Sequence, residues 1–159
     1  MKKLLILCIL LLPLIAYSAS VGFSGPGSIY LGTIQLNKVY DVATILGINT
    51  GSEYGCFKTN VAYHQDQPEY RVPAEWVIFT PDYFCLEAGK TQLIDIKLYP
   101  KRINGKVQYG DYFSYLEICT ANESSTGVSI GACAATKLYF TLEKTSWIKQ
   151  TLKLLKWNF

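Results

Sequence analysis

The chain has 159 residues, of which half are hydrophobic, 14% are aromatic and 17% are charged. This length suits one domain, and the composition excludes a disordered protein. The formal charge of +3 falls to a single net positive charge once Lys2 and Lys3 of the N-terminal segment are set aside, which argues against a nucleic-acid binder. The twelve tyrosines favour β structure.

The N-terminus predicts an export signal over residues 1–20. Lys2 and Lys3 precede an apolar run over residues 4–17, and small residues follow as far as Ser20. A charged region, an apolar region and a small-residue cleavage zone in this order are typical of a secretory signal peptide. The run is shorter than the about 20 apolar residues of a spanning helix, although an uncleaved anchor is the alternative. The protein is therefore expected in the periplasm, at the cell surface or outside the cell.

The first half of the remaining chain predicts strands separated by turns. Residues 21–28 are rich in glycine, proline and serine and predict an extended lead-in. Apolar and polar residues then alternate with a period of two, which is the pattern of half-buried strands. The predicted strands cover residues 29–36, 39–48 and 57–64. Residues 64–75 carry two prolines and mixed charge, and they predict a connection.

The second half shows the clearest alternation. Ile94, Ile96 and Leu98 are expected on one face of a strand, with Leu93, Asp95 and Lys97 on the other. The remaining predicted strands lie at residues 76–79, 112–119 and 137–142, separated by a polar loop at 100–110 and a long hairpin loop at 120–131. About seven strands at this spacing predict an all-β sandwich.

Three short motifs resemble the PapD-like and major-sperm-protein-like group of immunoglobulin-like domains. An apolar segment at residues 76–81 ends in proline and is followed by Phe84, Leu86 and Gly89. Gly110-Asp111-Tyr112 then opens a later strand. The resemblance implies an immunoglobulin-like sandwich, which we place over residues 21–143. The basic residues with which PapD-like chaperones hold a pilin carboxylate cannot be mapped onto this chain, so the resemblance implies a fold and no functional site.

Four cysteines follow the predicted signal: Cys56, Cys85, Cys119 and Cys133. An even number in an exported protein favours disulfides, for which three pairings are possible. Cys119 and Cys133 border the same predicted loop and are the favoured pair, which leaves Cys56 for Cys85. Four buried thiols are the alternative. With no Cys-x-x-Cys and a single histidine, the chain predicts neither a metal site nor a cofactor.

Residues 144–159 predict a basic amphipathic helix. They carry four lysines and no acid, whereas residues 21–143 carry 9 basic and 12 acidic residues. A helical period places apolar residues on one face, lysines on the opposite face and tryptophans at the flanks. These residues are Ile148, Leu152, Leu155 and Phe159; Lys149, Lys153 and Lys156; and Trp147 and Trp157. Such a tail suits a membrane surface, or it docks on the sandwich, because both bury the same face.

Other candidate sites are single features. His64 is the only histidine and predicts an exposed loop residue rather than a catalytic base. Asn122 begins an Asn-Glu-Ser sequon in the long loop and is a candidate glycosylation site. A set of tyrosines is either a recognition surface or part of the buried sheet edges. These are Tyr54, Tyr63, Tyr70, Tyr83 and Tyr109.

The sequence as a whole predicts an exported, non-enzymatic envelope or surface module that binds an unidentified protein partner. A membrane-attached or membrane-active protein that acts through its basic tail is the alternative. A hydrolase with an unrecognised site is a third hypothesis. No nucleic acid is expected as a partner.

Overall fold

The computed structural model describes residues 20–63, 67–121 and 132–144. The predicted signal segment, His64, Asn122 and the tail from residue 145 onward lie outside the described residues, so the hypotheses about them stay predictions. Within the described part of the chain, no helix is both long enough and apolar enough to cross a membrane.

The described residues form ten strands, three more than the sequence predicted, and a single turn of 3-10 helix at Ala74–Trp76. The strands are β1 (Val21–Ser24), β2 (Ser28–Ile34), β3 (Tyr40–Asn49), β4 (Gly55–Ala62), β5 (Tyr70–Arg71), β6 (Val77–Thr80), β7 (Tyr83–Leu86), β8 (Thr91–Leu98), β9 (Gly110–Thr120) and β10 (Cys133–Leu142). The Thr80–Pro81 peptide bond between β6 and β7 is cis.

The strands form two sheets that face each other as a sandwich. One sheet has four strands in the order β1-β3-β8-β6, and the other has the order β2-β10-β9-β4-β7. The short strand β5 extends the second sheet by pairing in parallel with β9, where β4 has already ended. Strand β2 also runs parallel to its neighbour β10, while the other pairs are antiparallel. We call the second sheet the six-stranded sheet.

The core lies between the two sheets and follows the predicted alternation. Ile94, Ile96 and Leu98 of β8 are buried, whereas Leu93 on the opposite face is 60% exposed. Trp76 and Phe57 are among the largest fully buried side chains of the core. The confirmed alternation shows that a period of two was sufficient to identify the inward-facing positions of this sheet.

Three short strands correct the sequence-based prediction. The lead-in at residues 21–28 contains β1, which pairs with β3. The connection at residues 64–75 contains β5 and the 3-10 turn. The segment after Pro81 contains β7, which pairs with β4. Each is held by hydrogen bonds to a strand far away in the chain, and a stretch of four residues or fewer is too short to show a period.

Gly47 on β3 has side chains of both sheets packed against its Cα. A Cβ at this position would lie 3.0 Å from the ring of Phe84 and 3.3 Å from the terminal methyl groups of both Ile94 and Ile118. These neighbours come from both sheets, so a side chain here would have to push packed groups apart. The absence of a side chain at residue 47 is therefore part of the sandwich packing.

Asn49 is a fully buried polar residue at the end of β3. Its Nδ2 donates to the carbonyl oxygens of Glu53 at 2.7 Å and Leu86 at 2.9 Å. Its Oδ1 accepts from the backbone N–H of Gly51 at 3.0 Å. The side chain thus joins the β3–β4 loop to the end of β7, although the sequence had indicated only a loop residue. Because its donors and its acceptor are used, the burial of this amide is compatible with stability.

Candidate functional site

The two disulfides lie on the outer face of the six-stranded sheet. Cys56 on β4 is joined to Cys85 on β7, and Cys119 on β9 to Cys133 on β10, which is the pairing that the sequence favoured. In each pair the two cysteines are direct partners in the strand register. The bonds therefore link two pairs of neighbouring strands in one sheet, β4 with β7 and β9 with β10.

Four aromatic rings cross the same outer face in a continuous row. Tyr30 of β2 stacks on Tyr139 of β10, with ring centroids 4.9 Å apart and planes within 6°. Tyr139 contacts Phe113 of β9 at 4.7 Å, and Phe113 contacts Tyr115 edge-on at 4.9 Å. We call these four residues the aromatic row. Phe113 is buried, whereas Tyr30 is 72% exposed, so the row ends in a large apolar surface at the β2 edge.

A small cavity of about 240 Å³ adjoins the exposed end of the aromatic row. Tyr30 and Tyr139 line it together with the carboxylates of Glu69 and Asp111. The Thr141 hydroxyl donates to Asp111 at 2.6 Å and holds that carboxylate in place. This combination of tyrosine rings and carboxylates suits a cationic group, because the ring faces and the acids both attract positive charge.

The five tyrosines singled out in the sequence do not form one surface. Tyr54, Tyr70 and Tyr83 are exposed, on the β3–β4 loop, β5 and β7 respectively. Tyr63 is partly buried, and its hydroxyl donates to the carbonyl oxygens of residues 67 and 69. The rings of the aromatic row belong instead to strands β2, β9 and β10. They could have been found as aromatic residues at the outward-facing positions of the alternating pattern, as Tyr139 is between two core residues.

A larger cavity of about 730 Å³ opens at one end of the sandwich. Its walls come from the β8–β9 loop, β5, the 3-10 turn, the start of β9 and Lys144, which follows β10. Four basic side chains line it and no carboxylate does: Arg71, Arg102, Lys106 and Lys144. We call this space the basic cavity. None of its four cations was identified as a site residue from the sequence.

Tyr112 of β9 borders both cavities. It is the tyrosine of the Gly-x-Tyr motif, and its ring contacts Trp76 at 5.2 Å and Tyr70 at 5.6 Å. Its hydroxyl donates to the carbonyl oxygen of Gln108 at 2.9 Å. Burial raises the pKa of the Tyr112 hydroxyl, and the neighbouring Tyr70 adds to that rise. Tyr112 is therefore a neutral structural partition between the two cavities at physiological pH.

The Gly-x-Tyr motif also requires its glycine. Gly110 has a φ of +139°, and a Cβ there would lie 3.1 Å from the ring of Tyr70. A residue with a side chain would be strained in this conformation and would displace the ring.

The described residues offer one group with the composition of a metal site, formed by Glu117, Cys119 and Cys133. Both sulfur atoms belong to the disulfide, so in this state neither is a thiolate ligand. The carboxylate of Glu117 then has no partner ligands within this group.

Comparison with known proteins identifies the type of fold. No protein-family model matches the chain, and no curated protein matches it. Among solved structures, the chain is similar to PapD-like domain 7 of human CEP192, with a TM-score of 0.54 and 14% identity over 84% of this chain and 93% of that one. It is also similar to the periplasmic chaperone SfaE, with a TM-score of 0.50 and 9% identity over 79% of this chain. The chain spans 59% of the chaperone's length. The predicted PapD-like sandwich is confirmed.

Proposed function

We propose that this PapD-like domain is an exported, non-enzymatic module that binds a protein partner at the exposed end of the aromatic row. The observation that carries the proposal is Tyr30, a large side chain that is 72% exposed while stacked flat on Tyr139. Stacking on Tyr139 orders the ring before a partner arrives, which lowers the entropy lost on binding. Tyrosine is enriched at protein interfaces for its large amphipathic contact area.

The partner segment that fits this surface carries a lysine or arginine side chain. Glu69 and Asp111 line the cavity beside Tyr30 and Tyr139, and no basic residue lines it. A cation there would contact the tyrosine faces and pair with the carboxylates. The likeness to a PapD-like domain and to a chaperone supports a binding role, since that fold supplies exposed sheet surfaces.

The two disulfides support an oxidising compartment as the site of action. Together with the predicted signal over residues 1–20, they are consistent with export. The intact mass of protein recovered from outside the cytoplasm tests this directly. We expect the mass of a chain that begins near residue 19 or 21. The mass of a chain that still contains residues 1–18 would show a tethered protein instead.

Photo-cross-linking tests the proposed surface in the native envelope. A photoreactive phenylalanine analogue placed at residue 30 should yield a discrete cross-linked species, which mass spectrometry can identify. The matched control carries the analogue at residue 54, since Tyr54 is also highly exposed, at 65%, but lies on the β3–β4 loop. Cross-linking at neither position, or equally at both, would contradict the proposal.

Affinity measurements on the captured partner then test the chemistry. Tyr30→Ala should weaken binding about tenfold or more, which is the range for an interface anchor. Asp111→Asn should weaken it less, and Tyr54→Ala should leave it unchanged. A partner whose binding is insensitive to Tyr30→Ala would have to use another surface.

Attachment to a membrane through residues 144–159 is the second candidate function. The composition favours it, because this segment contains four lysines and no acidic residue, whereas residues 21–143 contain more acidic than basic residues. Co-sedimentation with anionic liposomes should be lost on deletion of residues 145–159 and should weaken with salt. Equal sedimentation of both forms, with a lower melting temperature for the deletion, would instead assign the segment to the fold.

A further inference from the structure

The β8–β9 loop, which forms one wall of the basic cavity, is held in place at several points. At its start, the N–H of Tyr99 donates to the carbonyl oxygen of Trp76 at 2.6 Å, and the N–H of Asn37 donates to that of Pro100 at 2.8 Å. At its other end, the Tyr112 hydroxyl holds the carbonyl oxygen of Gln108. The wall is therefore built by hydrogen bonds from three other parts of the fold.

A tight turn places two of the cations. Ile103 and Lys106 exchange both backbone hydrogen bonds, at 3.0 and 2.9 Å, around Asn104 and Gly105. Both turn residues have positive φ, of 50° and 74°, which is the geometry of the Asn-Gly hairpin turn. Arg102 and Lys106 flank this turn and line the cavity.

The basic cavity concentrates positive charge in a body that has more acids than bases. None of its four cations forms an ion pair with another described residue. The one side-chain ion pair in the described part of the chain joins Lys97 to Asp41 and lies outside the cavity. Four unpaired cations around one space repel each other, and an anion entering the space would relieve that repulsion.

The floor of the basic cavity is aromatic and holds an unsatisfied donor. Trp76 is 1% exposed, and its Nε1 has no hydrogen-bond acceptor among the residues that the structure describes. A buried N–H without an acceptor is rare and unfavourable. Apolar side chains complete the lining beside Trp76 and Tyr112. These are Ile103, Val107 and Tyr109.

From these observations we propose that the basic cavity is a binding site for an oxyanion carried on an apolar body. The cations at the rim pair with the negative charges, and the aromatic floor contacts the apolar part. The volume of about 730 Å³ is within the usual range for small-molecule sites. This proposal does not depend on the proposed protein-binding function.

Tryptophan fluorescence of the full mature chain tests the site. Replacing Trp147 and Trp157 by phenylalanine leaves Trp76 as the only tryptophan, so a signal change reports on the cavity floor. The probe is trimesate, a benzene ring with three carboxylates, and its uncharged triamide is the ligand control. Trimesate should give a saturable change that weakens as salt is added. The triamide should give none, and an equal response would overturn the proposal.

Charge variants then locate the binding. The double variant Arg102→Gln/Lys106→Gln should weaken trimesate binding about tenfold, since two charge contacts are lost. Lys101→Gln is the matched control, because Lys101 lies in the same loop and does not line the cavity. Thermal melts check that each variant is folded. Equal weakening by Lys101→Gln would show that the positive charge of the whole loop attracts trimesate, rather than the cavity. No effect of the double variant on binding would overturn the proposal.

Two further ligands distinguish the possible sources of the oxyanion. Inorganic phosphate should bind more weakly than trimesate if the apolar floor contributes, and a blocked acidic peptide with a central phenylalanine tests whether a protein segment can supply both parts. No response to trimesate, phosphate or the peptide would overturn the proposal. Tyr30→Ala should leave trimesate binding unchanged, so that failure of the partner surface and failure of this site are distinguishable.

Discussion

Replacement of the buried Asn49 should destabilise the sandwich more than any surface substitution. Asn49→Ala removes three hydrogen bonds, to Glu53, Leu86 and Gly51, at 2.7, 2.9 and 3.0 Å. Each is worth about 1 kcal/mol net, and two carbonyl oxygens lose their donor, so the free energy of unfolding should fall by about 2–4 kcal/mol. For a domain of this size such a loss lowers the melting temperature by roughly 10 °C.

The isosteric variant Asn49→Asp sharpens this prediction. Above the pKa of the new carboxyl group, the oxygen that replaces Nδ2 faces the carbonyl oxygens of Glu53 and Leu86 with no hydrogen to donate. The variant should then be less stable than Asn49→Ala, because it adds a buried charge that keeps only the hydrogen bond from the Gly51 N–H. Protonation restores one donor, so the stability of Asn49→Asp relative to Asn49→Ala should rise as the pH falls.

Urea unfolding of the oxidised protein measures these differences, with Asn60→Ala as the control. Asn60 is exposed on β4, and its loss should change the free energy of unfolding by less than about 0.5 kcal/mol. A loss below about 1 kcal/mol for Asn49→Ala, or a stability of Asn49→Asp equal to wild type at neutral pH, would refute the role assigned to this amide.

Three further predictions concern the disulfides, the sheet spacing and the cavity partition. Replacing both Cys119 and Cys133 by alanine should lower the free energy of unfolding by about 3 kcal/mol, from the entropy of a loop of this length, as measured by urea unfolding. Gly47→Ala should cost about 1–3 kcal/mol through overpacking, whereas Gly27→Ala, with no atom within 4 Å of the added Cβ, should cost little. Tyr112→Phe should lower stability by about 1 kcal/mol at neutral pH, and this difference should shrink above about pH 10.

The direction of the pH dependence predicted for Tyr112→Phe follows from the raised pKa of Tyr112. The unfolded chain loses the Tyr112 proton near the ordinary value of about 10, while the folded chain keeps it to higher pH. The unfolded state thus binds fewer protons in this range, and the wild type loses stability as pH rises, which the phenylalanine variant avoids at this position. The free energy of unfolding of both proteins is measured from about pH 8 to about pH 11 in steps of roughly one unit. A difference between them that stays constant over this range would contradict the raised pKa of Tyr112.

Local patterns in the sequence were sufficient for the outline of the fold. Alternation fixed the inward positions of β8, where Ile94, Ile96 and Leu98 are buried, because side chains of a strand point to opposite faces in turn. The Asn104-Gly105 dipeptide forms the tight turn that its positive φ preference indicates. Cys119 and Cys133 pair because the hairpin places them at one register position, which their separation around one loop had suggested.

The tertiary structure decided what lies next to what across long sequence distances. Strand β2 meets β10 in parallel more than a hundred residues later, and only that pairing brings Tyr30 onto Tyr139. The four cations of the basic cavity come from three separate stretches of chain, and each alone resembles an ordinary solvated residue. The burial of Asn49 likewise depends on a carbonyl oxygen of β7. Periodicity reports the environment of a residue along its own strand, whereas strand order and cavity linings depend on contacts between segments that share no local pattern.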